Sequence, residues 1–444
     1  MAATLPFAIA CAAHPMRLYF APVLRYPVDS APWPAHQTVD YSASSLCAAN
    51  CCQNPLARPV QTSRGTQRDG RQTYNPRKTK PLPVHASANL ATSRPKPALT
   101  RQSLTLVRPD DWHVHLRDGD LLPGTVAATA AVFGRAIVMP NLRPPVTTTE
   151  AARRYRQRIL AALPSGSPFA PLMTLYLTDH TSPAEIANAK ASGIVHAIKY
   201  YPAGATTNSE SGVTALPRVY AALAAMQDHD LVLSLHGEDV SADVDIYDRE
   251  RVFIERSLTT LMRDFPGLKI VLEHITTADA AAFVAGAPAT IAATITPQHL
   301  LWSRNALFDG GMRPHLHCMP VLKRETHRQA LVQTATSGSP KFFLGTDSAP
   351  HARHRKESAC CGAGCYSAPL ALGLYAEAFD AAGALDRLEG FASHFGADFY
   401  GLPRNGDKVT LRRVPWTVPN EYSFGKDTVV PLRAGENVSW RVDA

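Results

Sequence analysis

No glutamate occurs in the first 100 of the 444 residues, and only three aspartates stand there against 11 Lys and Arg. The whole chain carries a formal charge of +8, and that surplus belongs to this segment alone, because residues 101–444 hold 34 basic and 34 acidic groups. The body therefore lacks the electrostatic footprint of a nucleic-acid binder. Nor does any stretch supply the roughly 18 apolar residues that a membrane span requires. Cysteine is scarce as well. Four of the eight (Cys11, Cys47, Cys51, Cys52) lie in the tail and four (Cys318, Cys360, Cys361, Cys365) in the body, too few for a disulfide framework. "ACCGAGC" offers a single C-x-x-x-C with no distant second pair, a weak zinc signal, so reduced thiols in a loop are expected. Missing too is a glycine-rich turn after the first strand, which counts against an open dinucleotide-binding sheet.

What the tail does contain is Ala, Ser, Thr and Arg, together with 13 of the 36 prolines and no sustained helical or strand periodicity. Acid-poor, Arg- and Ser-rich composition is that of an organellar transit peptide. The opening "MAATLPFAIACAA" lacks the basic n-region of a secretory signal, and a generic disordered tail is the other reading. Two segments are expected: residues 1–100 as a transit-peptide-like extension and residues 101–444 as one catalytic domain.

From residue 103 onward one theme repeats. A short apolar or β-branched run ends in polar residues, and an Ala-rich helical stretch follows. The runs are "LTLVRPDDWHVHL", "RAIVMPN", "LMTLYLTD", "HAIKYYP", "LVLSLHGE", "KIVLEHI", "ATITPQHL" and "KFFLGTDSAPH", with helices expected over 150–162, 183–192, 214–229, 249–264 and 277–286. Near-continuous apolar runs alternating with helices imply parallel strands covered on both faces. Eight of them in about 250 residues fit an α/β fold, a (β/α)8 TIM-like barrel. The less regular 402–444 segment is expected to wrap the barrel.

Active sites of such barrels lie at the carboxyl ends of the strands. There the sequence places His113 and His115, Asn141, Lys199, His236, His274, and Asp347 with His351. A lone H-x-H is a weak signal, although residues i and i+2 of a strand share a face. Four histidines and an aspartate from neighbouring strands suit zinc or a similar divalent ion. A lysine in an apolar strand usually snorkels to water. Beside two cations Lys199 would lose its proton more easily, and a neutral amine can add CO2 to give a carbamate that bridges two metals. A hydroxide between those ions would be the nucleophile, with Asp347 as ligand and catalytic proton shuttle. Arg117, Asn141 and His351 are candidate substrate binders; surface salt bridging is the plain alternative for Arg117, and a turn role for Asn141. "PAGATTNSESG" (202–212) reads as a lid that would bring Thr206 and Thr207 to the substrate, or as an inert loop.

"DWHVHLRDG", "MPNLRPP", "IKYYPAGATTNS" and "LGTDSAPHARHRKES" closely resemble the dihydroorotases of the amidohydrolase superfamily, in their compact monofunctional bacterial-type class, over about residues 103–444. The resemblance implies a zinc-dependent cyclic amide hydrolase that interconverts (S)-dihydroorotate and N-carbamoyl-L-aspartate, the third step of de novo pyrimidine (UMP) biosynthesis. It implies two zinc ions, one held by His113, His115, N6-carboxylated Lys199 and Asp347, the other by Lys199, His236 and His274. It implies Arg117, Asn141 and His351 at the substrate carboxylate and Thr206 and Thr207 on the lid. Ala363 and Met319 would make backbone contacts to substrate, Met319 standing where the family usually has leucine. A homodimer is implied, with a small-molecule substrate and neither nucleic acid nor membrane as partner. The tail has no bacterial counterpart, so a plastid (chloroplast stroma) location is expected, with the mitochondrion as the alternative. Two competing readings remain: another cyclic amidase such as a dihydropyrimidinase or hydantoinase, and a non-catalytic amidohydrolase-like scaffold.

Overall fold

The computed structural model describes residues 101–443; the expected targeting extension, residues 1–100, lies outside the described residues. Eight parallel strands form one sheet in chain order. They are β2 (Asp111–Val114), β3 (Arg135–Val138), β4 (Ala170–Tyr176), β5 (Val195–Tyr200), β6 (Val232–Leu235), β7 (Ile270–Leu272), β8 (Ile291–Ile295) and β9 (Phe342–Leu344). Between β9 and β2, Asp347 donates its amide to His113 O at 2.8 Å and His115 donates to Ser348 O at 3.0 Å, which brings the two edges together. The architecture is a (β/α)8 TIM-like barrel.

Period-two alternation sorts each strand into an outer and an inner set. Ile198, Leu233, Leu235, Ile270, Leu272 and Leu344 point outward into the main core with the helices. Inside, Trp112, Ile137, Ala197, Val232, Val271, Ala292 and Phe343 form an apolar floor, and the Tyr400 ring stacks on Trp112 at 4.7 Å to close it from below. Two residues further along, the inward positions turn polar: Lys199, Ser234, Glu273 and Thr294, all buried. One more step reaches Tyr201, His236 and Asp347 at the mouth.

Helix starts are written into the sequence. Thr148, Ser182 and Thr277 cap the helices Thr149–Ala161, Pro183–Ala191 and Ala278–Gly286, each accepting a backbone N–H three residues on. The carboxylate of Glu250, also buried, accepts from the amides and hydroxyls of both Thr276 and Thr277 at 2.5–3.1 Å. That bond set fixes the turn immediately after His274.

Three sequence expectations change. "LTLVRPDDWHVHL" is two strands, because Pro109 interrupts it. Its first part, β1 (Ser103–Val107), leaves the barrel and pairs antiparallel with β10 (Lys408–Arg412). The barrel run "ATITPQHL" stops at Ile295, where Thr296 caps a short helix, Pro297–Leu301. Residues 402–444 contain more regular structure than expected, since β10 also pairs with Arg441–Val442 and Trp416–Thr417 with Asn437–Val438.

Candidate active site

His113 and His115 reach the mouth from β2, but simple alternation does not put them there. The β2–β3 register shifts between Asp111 and Val114, a bulge that lets Trp112 fill the floor while His113 still faces inward. Asp111 stabilises the bulge by accepting from His113 N at 3.1 Å and from Thr346 N at 2.9 Å. Burial raises the Asp111 carboxyl to about 7, against the pull of its Thr346 and His113 hydrogen bonds. On the far side Gly345 makes room: a methyl there would stand 2.7 Å from Thr294 Cβ and 3.1 Å from His113 Cβ.

Ligand-capable atoms converge above this ring. His113 Nε2 and His115 Nε2 lie 3.5 and 3.1 Å from Asp347 Oδ1. The three groups hold their ligand atoms within 4.8 Å of one another. The imidazoles continue as a chain, with ring centroids 5.0 Å apart for His113–His274 and 4.8 Å for His236–His274. His274 and Asp347 have φ of +42° and +44°, values that cost a non-glycine residue about 1–3 kcal/mol each and cluster at functional sites.

Each of three imidazoles has its other nitrogen occupied. Glu273 Oε2 holds His113 Nδ1 at 2.8 Å, Asn141 Oδ1 holds His115 Nδ1 at 2.8 Å, and Glu238 Oε2 holds His236 Nε2 at 2.7 Å. Oriented imidazoles with a carboxylate or amide behind them are the usual support of a metal site. Among the described residues, Lys199 Nζ and His274 Nδ1 are both buried with no hydrogen-bond partner. Two orphaned nitrogens beside a His–His–Asp cluster fit a bound divalent ion and fit poorly with a closed apolar core.

Electrostatics agree. Burial lowers His113 and His274 well below the usual histidine range, Lys199 adding to it in both. They stay neutral, as ligands must. Burial lowers Lys199 to about 8 even though Glu273 and Asp347 pull the other way. For Asp347, burial pushes up, but the His115 hydrogen bond and the neighbouring His113, His115 and Lys199 outweigh it and hold it low. It is a carboxylate at neutral pH.

Arg117, Asn141, Thr206, Thr207, Met319 and Ala363 line the same cavity as His113, His115, His236, His274 and Asp347. Arg117, at φ +61°, is steered by a hydrogen bond from Nε to Pro350 O at 2.9 Å. His351 stands behind it, its Nε2 3.2 Å from Arg117 Nη2 and 2.9 Å from Ala363 O. Burial, then Arg117, pushes His351 down to about 2, so its imidazole is neutral at working pH. Asn141 lines the cavity with its amide already engaged, by His115 on one side and Thr207 O at 3.1 Å on the other. The 202–212 loop is pinned beside the cavity: Asn208 donates to Asn141 O at 3.1 Å and accepts from Arg143 Nε at 2.6 Å. Lys199 sits below the cavity, its Nζ 5.0 Å from the Tyr201 ring centre. The four described cysteines are free thiols.

Glu273, Glu238 and Tyr201 were not singled out in the sequence. "LEH" and "HGE" place the two glutamates one residue before and two after a ligand-type histidine, a usable signal. Tyr201 had only its position two residues past Lys199.

The chain matches the amidohydrolase family over residues 105–410. It is 63% identical to a dihydroorotase of Teredinibacter turnerae over 340 residues, covering 77% of this chain and 98% of that protein. The figure for a dihydroorotase of Methylobacillus flagellatus is 62%, covering 77% and 99%. Among solved structures, dihydroorotase in complex with 5-fluoroorotic acid from Saccharomyces cerevisiae superposes with TM-score 0.72 at 34% identity, covering 77% and 99%. A dihydroorotase from Campylobacter jejuni gives 0.72 at 35%, covering 79% and 100%. The L-hydantoinase of Arthrobacter aurescens reaches 0.64 at only 16% identity, a likeness of fold alone.

Proposed function

The chain belongs to the amidohydrolase family and, within it, to the dihydroorotases; from that premise we propose how its own residues open and close the dihydroorotate ring. One observation carries the reading: His113, His115 and Asp347 converge beside a buried lysine with no hydrogen-bond partner among the described residues, below an arginine at the cavity mouth.

His113, His115, Lys199 and Asp347 would hold one divalent ion, zinc by the character of the donors, and Lys199, His236 and His274 a second. Lys199 would serve as its carbamate, formed when its neutral amine adds CO2 and releases a proton. When bound, such ions supply a hydroxide nucleophile at neutral pH and polarise the scissile carbonyl. The protein's part is then positional and protonic. Arg117 takes the ring carboxylate, with neutral His351 and Asn141 beside it and the backbone at Met319 and Ala363 completing the contact. Thr206 and Thr207 on the lid exclude water over the ring. Asp347 accepts the proton released as oxygen bonds to the carbonyl carbon, then delivers it to the ring nitrogen as the C–N bond breaks; ring closure runs the same path backwards.

The assay compares dihydroorotate with dihydrouracil, which lacks the carboxylate. Turnover of dihydrouracil alone would sink the reading. Arg117→Ala is expected to lower kcat/KM for dihydroorotate roughly 10- to 100-fold, through KM, in line with the ~1.5–3 kcal/mol of a hydrogen bond to a charged group. An unchanged KM removes Arg117 from the carboxylate site.

Residues 1–100 are read as a transit peptide that delivers the catalytic domain, residues 101–444, to the plastid stroma, with the mitochondrion as the alternative. Fused to a fluorescent protein, this segment is expected to send it into plastids; diffuse fluorescence counts against targeting. The reading also includes a homodimer, which light scattering checks.

A further inference from the structure

Lys356 is a buried cation that the mechanism above does not use. It is 3% exposed, and among the described residues no carboxylate forms an ion pair with it. Its ammonium donates instead to three backbone carbonyls: His317 O at 2.7 Å, Gly362 O at 2.8 Å and Gly364 O at 2.8 Å. Three donors meet three acceptors, so the group is fully satisfied without a counter-ion.

Those carbonyls belong to the two segments that carry the proposed backbone contacts to substrate. His317 lies two residues before Met319, and Gly362 and Gly364 flank Ala363; Met319, Ala363 and Gly364 all line the catalytic cavity. His317 O also accepts from Gly364 N at 3.0 Å, so one ammonium and one amide clamp the segments together. Peptide planarity gives this clamp a direction. In a trans peptide the C=O and the following N–H point opposite ways, so turning Gly362 O toward Lys356 turns Ala363 N–H away from it. That N–H meets no carbonyl among the described residues, while Ala363 O is held by His351 Nε2 at 2.9 Å. Both glycines are required by this packing. A methyl on Gly362 would stand 2.8 Å from His351 Nδ1, and Gly364 has φ +147°.

We infer that Lys356 is a positioning residue for substrate binding: it fixes the 362–364 backbone so that Ala363 N–H faces the substrate carboxylate. The inference rests on the reading of Ala363 as a substrate contact. It assigns a function to a lysine that touches neither substrate nor metal ligand, and it explains why a cation lies buried against carbonyls alone.

The test uses the metal-loaded full chain, with dihydroorotate as substrate. Lys356→Met is expected to raise KM about tenfold or more, keep kcat within about threefold, and leave metal content at the wild-type level. Loss of kcat and metal together, with KM unchanged, marks a merely structural lysine and overturns the inference. If the methionine variant does not fold, Lys356→Arg decides. Its planar fork cannot meet three converging carbonyls, so KM should rise at least about threefold, and an unchanged KM overturns the inference. Wild type and Arg117→Ala are run beside them. Should Arg117→Ala raise KM while the Lys356 variants do not, this inference alone fails; should Arg117→Ala also leave KM unchanged, the carboxylate reading fails and takes the inference with it.

Discussion

Lys199→Ala is expected to abolish measurable ring opening, with kcat lower by about 10³-fold or more, and to leave the protein short of its full complement of divalent ions. The lysine cannot be explained as a structural cation. Its Nζ is buried and has no hydrogen-bond partner among the described residues, an arrangement that leaves an ammonium's desolvation uncompensated. Burial lowers it to about 8 against the opposing pull of Glu273 and Asp347, so a useful fraction is the neutral amine that CO2 requires. A carbamate in its place would give the missing partner atoms and supply an oxygen ligand on the side of His113 and His274. Removing it would strip the proposed bridge from the two proposed ions, which would contribute several kcal/mol to the transition state; that is the basis of the expected rate loss. Alanine also leaves a cavity the size of a small carboxylic acid. Added acetate should therefore restore part of both activity and metal content, as no surface lysine replacement would. A variant with wild-type metal content and kcat within tenfold of wild type would refute the carbamate assignment.

The barrel and most of this site were legible because the sequence repeats a single grammar. Apolar runs end in polar residues eight times, and strand ends of a parallel barrel share one mouth, so His113, His115, Lys199, His236, His274 and Asp347 could be grouped from position alone. What could not be read are departures from alternation. Trp112 and His113 both face inward because of a bulge, and nothing in "DWHVH" announces an extra residue. Glu273 and His274 are adjacent and should oppose each other; φ of +42° at His274 turns both toward the site, a conformation that no histidine signals. Pro109 marks the split of "LTLVRPDDWHVHL", but a single proline is a weak signal inside so apolar a run. Lys356 was hidden for another reason. In "HARHRKES" it reads as one of several solvated basic residues, and only the fold brings carbonyls from residues 317, 362 and 364 around it.

Asp347→Asn separates the aspartate's two proposed duties, ligand and proton carrier. The amide keeps the shape, and its oxygen would still face the proposed ion beside His115 Nε2, which lies 3.1 Å from Oδ1 in the native site. It cannot take up a proton and pass it to the leaving nitrogen. Losing a positioned acid–base group costs about 10²–10⁴-fold, so kcat should fall by that amount in both directions, with KM for dihydroorotate nearly unchanged because Arg117 still holds the carboxylate. Both directions must suffer, since the group that protonates nitrogen in ring opening deprotonates it in closure. The native carboxylate is held ionised by the His115 hydrogen bond and by the neighbouring His113, His115 and Lys199, which together outweigh burial; the neutral amide escapes that control, so the limb of the pH–rate profile that reports this group should disappear. Metal content decides between the duties. If saturating zinc returns the variant to within tenfold of wild type, Asp347 acts as a ligand only and the proton must travel by another group; if the loss persists with both ions bound, the proton carrier is Asp347.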